Sequence, residues 1–175
     1  MRTVQERNHP HNRVTARKSG AVNNPFSDIC RGKTVFVGIG NNLRGDDGIG
    51  PLIIERLRQL MSRPCIDAGS VPENSFGPIA KENPDTVVII DAVQLFLKPG
   101  AYRLLSAEEV LETGFSTHTL SPSVFMQYLK EATNAEVYLL GIQPMSTELG
   151  SGVSAQLEES VNKIITLIVQ ACGDA

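Results

Sequence analysis

Apolar residues along this chain recur in two rhythms. Short unbroken runs of β-branched residues are separated by stretches whose apolar positions repeat at helical spacing. Val35, Phe36, Val37 and Ile39 form the first run, of the kind that suits a strand covered on both faces. Gly38 and Gly40 then permit a tight turn, and from Ile49 onward Leu52, Ile53, Leu57 and Leu60 mark a helix. Residues 65–68 predict a short second strand, and residues 72–81 a helical or irregular segment. The run TVVII at 86–90 is the strongest strand signal, with Asp91 directly after it. An edge strand is expected at 101–105, after the Pro99-Gly100 turn. Ser106-Ala107-Glu108-Glu109 has the pattern of a capping box opening a short helix. Ser121-Pro122 opens another helix, through about Glu131, with proline at its first position. EVYLLGI at 136–142 is the last strand. Residues 154–171 form a closing amphipathic helix with Leu157, Val161, Ile164, Ile165 and Ile168 on one face. No internal repeat is visible. This alternation predicts a single three-layer α/β/α domain with a twisted, mostly parallel sheet of about five strands.

Composition changes that picture only at the N-terminus. Residues 1–33 carry seven basic and two acidic side chains, a net +5. The remainder carries nine basic and seventeen acidic, a net −8. The head is rich in Asn, Pro, Ser and Gly and has no hydrophobic period, so residues 1–32 are expected to be a disordered extension and 33–175 the folded domain. A targeting peptide or a nucleic-acid arm is the alternative; an extension the fold does not need is the simpler account. No apolar run approaches the roughly 20 residues needed to span a bilayer, and the N-terminus lacks the apolar centre of a signal peptide. Cys30, Cys65 and Cys172 are odd in number and far apart, so neither a zinc site nor a disulfide framework is expected. A reducing cytoplasm is the expected location.

The candidate chemistry lies in Gly38-x-Gly40-x4-Gly45-Asp46-Asp47, between the first strand and the first helix. Open α/β sheets place their sites at the C-terminal ends of parallel strands, and a nucleotide-binding loop would occupy this position. The glycine spacing is neither G-x-G-x-x-G nor G-x4-G-K-[ST], and two carboxylates stand where a pyrophosphate would sit. Asp46 fits a helix cap and Asp47 an acidic first turn. Asp67 and Asp91 follow the second and third strands, and His118 lies in a loop just before a helix. Carboxylates with one imidazole can hold a divalent transition metal with open positions. The plainer accounts are that Asp67 caps its turn and His118 bonds a helix start. Asp91 resists a plain account, because a carboxylate after a buried strand needs a partner.

Five segments, VGIGNNLRGDDGIG, IDAGSVPEN, VVIIDA, STHTLS and VYLLGIQP, occur in an order and spacing that resemble the nickel–iron hydrogenase maturation proteases. The likeness spans about residues 33–169, and SVPEN, GIQP and Asp at the metal position look most like the formate-hydrogenlyase-type branch. The resemblance implies an endopeptidase that removes the C-terminal tail of a hydrogenase large-subunit precursor once nickel has been inserted. It implies that Asp47, Asp91 and His118 meet nickel supplied by the precursor rather than held permanently. Asp67 and Glu73 align with cleft-edge positions to which it gives no role. A monomer acting on that precursor, without nucleic acid or membrane insertion, is the expected state. There is no H-E-x-x-H helix, no G-x-S-x-G elbow and no paired cysteine nucleophile. Two schemes stay open: metal-assisted hydrolysis licensed by nickel, and an aspartate pair acting as general acid and base. A non-catalytic nickel-site chaperone and a small-molecule hydrolase or nucleotide binder on the same scaffold are the alternatives from other classes.

Overall fold

Three runs of buried β-branched residues make the centre of the sheet. A computed structural model describes residues 24–113 and 122–173. In it β1 (Thr34–Ile39), β3 (Thr86–Ala92) and β5 (Glu136–Ile142) lie side by side and parallel. β2 (Cys65–Gly69) adds parallel to the outer side of β1, and β4 (Tyr102–Ser106) adds antiparallel to β5, giving the order β2-β1-β3-β5-β4. The five strands and the mostly parallel pairing agree with expectation.

Strand pleating divides the apolar residues between two cores. Phe36, Val88 and Ile90 face α1 (Ile49–Leu57) and α5 (Ala155–Cys172). Val35, Val37, Val87 and Ile89 face α2 (Phe76–Lys81), α3 (Ala107–Thr113) and α4 (Pro122–Thr133). The result is three layers. The predicted capping box opens α3: the Ser106 N–H donates to Glu109 Oε2 at 2.8 Å and the Glu109 N–H to Ser106 Oγ at 3.3 Å. Among the described residues no helix is long and apolar enough to cross a membrane.

Two expectations about the N-terminal segment fail. Residues 24–32 are not draped loosely: Phe26 is fully buried and Ile29 nearly so, both in the core beneath α1 and α5. Asn24 Nδ2 also donates to the Leu167 carbonyl at 2.7 Å. The folded unit therefore begins before Lys33, and residues 1–23 lie outside the described residues. Cys30 and Cys172 are joined as a disulfide, with their Cα atoms 5.2 Å apart. Arg63 holds the same corner, donating to the carbonyls of Cys172 at 2.5 Å and Gly32 at 2.7 Å. Nothing in the sequence suggested this disulfide, because a separation of 142 residues gives no local pattern.

Candidate active site

The strand order reverses between β1 and β3: the chain leaves β1 toward β2, then returns across it to β3. Open sheets form a crevice at such a switch point. At the end of β1, Gly40 has φ +141°, and a Cβ there would run into the Asp47 carbonyl. This lets the chain fold back as the short 3-10 turn Gly45–Gly48. Gly50 then seats the start of α1 on the strand ends, since a Cβ at that position would overlap the carbonyl oxygens of Ile39 and Ile90. Asp47 is thereby placed at the mouth of the crevice, where one carboxylate oxygen accepts the Asn41 N–H at 2.9 Å.

Asp91 enters from the other side of the switch point. It lies inside β3 rather than after it, paired in register with Gly141. Only 6% of its surface is exposed. Burial first, and the neighbouring Asp47 charge second, push its carboxyl well above the usual range, while the Ala92 N–H pulls it partly back. An open cleft of about 790 Å³ contains Asp47 and Asp91 together with Arg44, Ser70, Gln94 and Gln143. Burial beside a second carboxyl group favours the protonated form of Asp91, an arrangement able to share a proton or to accept a divalent cation with loss of that proton.

Asp46, expected to cap a helix, does something else. It lies inside the 3-10 turn, whose cap position is Arg44, while Gly48 occupies the cap of α1, and it is fully buried. Its carboxylate accepts N–H groups from Met145 at 2.7 Å, Ser146 at 3.0 Å and Ser154 at 2.6 Å, and the Ser154 hydroxyl at 3.0 Å. Burial pushes this carboxyl up, but those donors more than offset it and hold it below the usual range. Asp46 thus clamps the loop between β5 and α5, whose residues Pro144 to Thr147 form one wall of the cleft.

Two other expected candidates, Asp67 and Glu73, fall outside the cleft. Asp67 is exposed within β2 and accepts the Gly69 N–H at 2.9 Å, the turn-capping role open to it. Glu73, in the 3-10 turn Pro72–Ser75, does not line the cleft. His118 lies outside the described residues. Among those described, no group of three metal-ligating side chains occurs. Two hard oxygen donors nevertheless suit a divalent ion that arrives with ligands of its own. Cys65 sits at the opposite end of β2, and burial pushes its thiol up to about 11, with Arg58 lowering it only in part. It is no thiolate at neutral pH. Sequence reasoning passed over Arg44, Gln94 and Gln143; Gln143 stood in the GIQP segment without a role.

A parallel α/β sheet whose switch point holds paired carboxylates, in place of a phosphate-binding loop, defines an acidic-cleft protein rather than a nucleotide binder. The profile of the HycI hydrogenase maturation protease family matches residues 51–171, which include Asp91 and begin just after Asp47. The chain belongs to that family and is a peptidase. It is 35% identical over 113 residues to the hydrogenase 3 maturation protease of Escherichia coli K12, covering 63% of this chain and 72% of that one. The crystal structure of the nickel–iron hydrogenase maturation protease HycI from Thermococcus kodakarensis superposes with a TM-score of 0.76 at 34% identity. That match covers 84% of this chain and 97% of the other. The hydrogenase maturating endopeptidase HybD from E. coli gives 0.66 at 25% identity, covering 80% and 91%.

Proposed function

We propose that this peptidase removes the C-terminal tail of a nickel–iron hydrogenase large-subunit precursor after nickel has been inserted. Asp47 and Asp91 meet the substrate-borne nickel, and His118 is its third ligand. The observation that carries the proposal is Asp91. A carboxyl almost wholly buried beside a second carboxyl, at the floor of an open cleft, is costly to ionise unless a cation comes to it. Nickel bound in the precursor is such a cation, and it arrives only when insertion has succeeded. The likeness to proteases named for hydrogenase maturation supports the same substrate.

The raised Asp91 carboxyl also favours a second scheme, in which Asp91 donates a proton to the leaving amine while Asp47 activates water. One experiment separates the two. Purified precursor, with and without nickel, is incubated with wild-type protein and with Asp91→Asn, and tail removal is followed by mass spectrometry. Nickel-dependent cleavage that Asp91→Asn abolishes is the expected result. Equal cleavage of nickel-free precursor supports the acid–base pair alone. Normal processing by a folded Asp91→Asn variant removes Asp91 from the chemistry.

A further inference from the structure

Among the described residues, three that are not glycine have positive φ: Asn83, Asn134 and Phe96. The two asparagines follow helices α2 and α4, where this side chain tolerates the left-handed region. Phe96, at φ +56°, has no such excuse. It is also 86% exposed, so no burial of its ring offsets the backbone cost. Folding alone would select against an aromatic residue here on both counts.

The segment after β3 is nevertheless held firmly in this shape. The side-chain oxygen of Gln143, itself buried, accepts the N–H of Leu95 at 2.8 Å and of Leu97 at 3.2 Å, one on each side of Phe96. Gln143 Nε2 in turn donates to Gln94 Oε1 and to the Pro144 carbonyl. Gln94 and Gln143 both line the cleft that holds Asp47 and Asp91. The hydrogen bonds that shape the cleft wall therefore also fix the posture of Phe96. Further exposed apolar side chains stand on the same sheet edge: Leu43 after β1, Val71 after β2, Leu97 after β3, and Met145 and Leu149 after β5. Met145 lines the cleft as well, and the Gly150 N–H bonds the Leu43 carbonyl at 2.8 Å, which ties two of these loops together.

We infer that Phe96 is a preorganised anchor for the protein substrate, inserting into an apolar recess on the folded precursor while the tail lies in the cleft. The inference rests on the proposed function for the identity of that substrate. A rim continuous with the cleft meets whatever enters the cleft. Phe96 stands outside the cleft lining, so its contact lies on the folded body that carries the tail rather than on the tail near the scissile bond. A second copy of this chain docked on the rim would cover the cleft. An exposed aromatic whose flanking backbone is already held by Gln143 needs little ordering on binding, and Phe is among the residue types enriched at protein interfaces.

Phe96→Asn tests this, because asparagine accepts the left-handed backbone while removing the ring. The variant is expected to melt at or above the wild-type temperature. For purified nickel-loaded precursor its KM should rise about tenfold or more, with kcat changed less than twofold. Phe96→Leu should fall between the two. Binding is measured separately by titrating precursor into Asp91→Asn and into the Asp91→Asn/Phe96→Asn double variant. A tenfold weaker Kd in the double variant supports the anchor even if wild-type protein leaves the precursor uncut, a result that would sink the proposed cleavage instead. Equal Kd values for the two overturn the anchor and leave cleavage untouched. A wild-type dimer that Phe96→Asn converts to monomer overturns it in favour of self-association.

Discussion

Asp46→Asn removes one oxygen acceptor and one charge from the joint that fastens the β5–α5 loop to the turn before α1. In the wild type, one carboxylate oxygen accepts the Ser154 N–H and the other accepts Met145, Ser146 and the Ser154 hydroxyl. An amide can keep three of these bonds at best, and its NH2 then faces the fourth donor. Leaving one backbone N–H unpaired costs roughly 1–3 kcal/mol, and converting charged acceptance to neutral costs about a further 1–2 kcal/mol. Because the bonds share one group and do not add fully, about 3 kcal/mol is expected. A chain of this length should then melt roughly 6–12 °C lower. At a mere helix cap the same change would cost almost nothing, because asparagine caps about as well as aspartate. Urea unfolding followed by circular dichroism measures the difference, and hydrogen exchange should show faster exchange at Met145, Ser146 and Ser154. The pH dependence has a definite sign. The folded-state carboxyl is held below its ordinary value, so its contribution is complete above the unfolded pKa of ~3.9 and is lost as pH falls through the folded one. The gap between wild type and Asp46→Asn should close across that acidic window. A variant within 1 kcal/mol of wild type at pH 7, with those three amides still protected, would refute the clamp.

The neighbouring acid should behave in the opposite way. Asp91 is held high, so its ionisation costs folded-state stability as pH rises from the unfolded value; Asp91→Asn should be at least as stable as wild type at pH 7 while failing to process precursor, as thermal melts and processing assays will show. Gly50→Ala forces a methyl group against the Ile39 and Ile90 carbonyls, lifting α1 off the sheet; a loss of about 2–4 kcal/mol in urea unfolding is expected, together with reduced processing. Deleting residues 1–32 removes the buried Phe26 and Ile29 and should cost about 3 kcal/mol or more, read by thermal melts.

What was legible in the sequence follows the range of the interactions. β1, β3 and β5 are continuous apolar runs, and a covered parallel strand needs nothing more to declare itself. The Ser106–Glu109 box is complete within four residues, and both its bonds form. Asp91 announced itself because a carboxylate on a buried run has no cheap structural purpose. Asp46 was misassigned because a cap and a clamp share one local signature, an acid before a helix, whereas its partners lie 99 to 108 residues away. Phe26 and Ile29 belong to a polar segment too short to show a period, so their burial depends on a groove made by α1 and α5. Phe96 carries no local sequence signal; only its backbone angle and exposure set it apart.

The Cys30–Cys172 disulfide and the Arg63 bonds bring the first described segment and the last helix to one corner. β1 starts from that corner and α5, running against the strands, finishes there, so it lies at the far end of the sheet from the cleft. The molecule accordingly has a sealed end and a working end. A linker joining residue 24 to residue 173 would need to cross only a short gap, and new termini opened in an exposed turn elsewhere should still yield the same fold. For the same reason, a tag or a solid support attached at the sealed end would leave the Phe96 rim and the mouth of the cleft facing outward, free to engage a bulky partner.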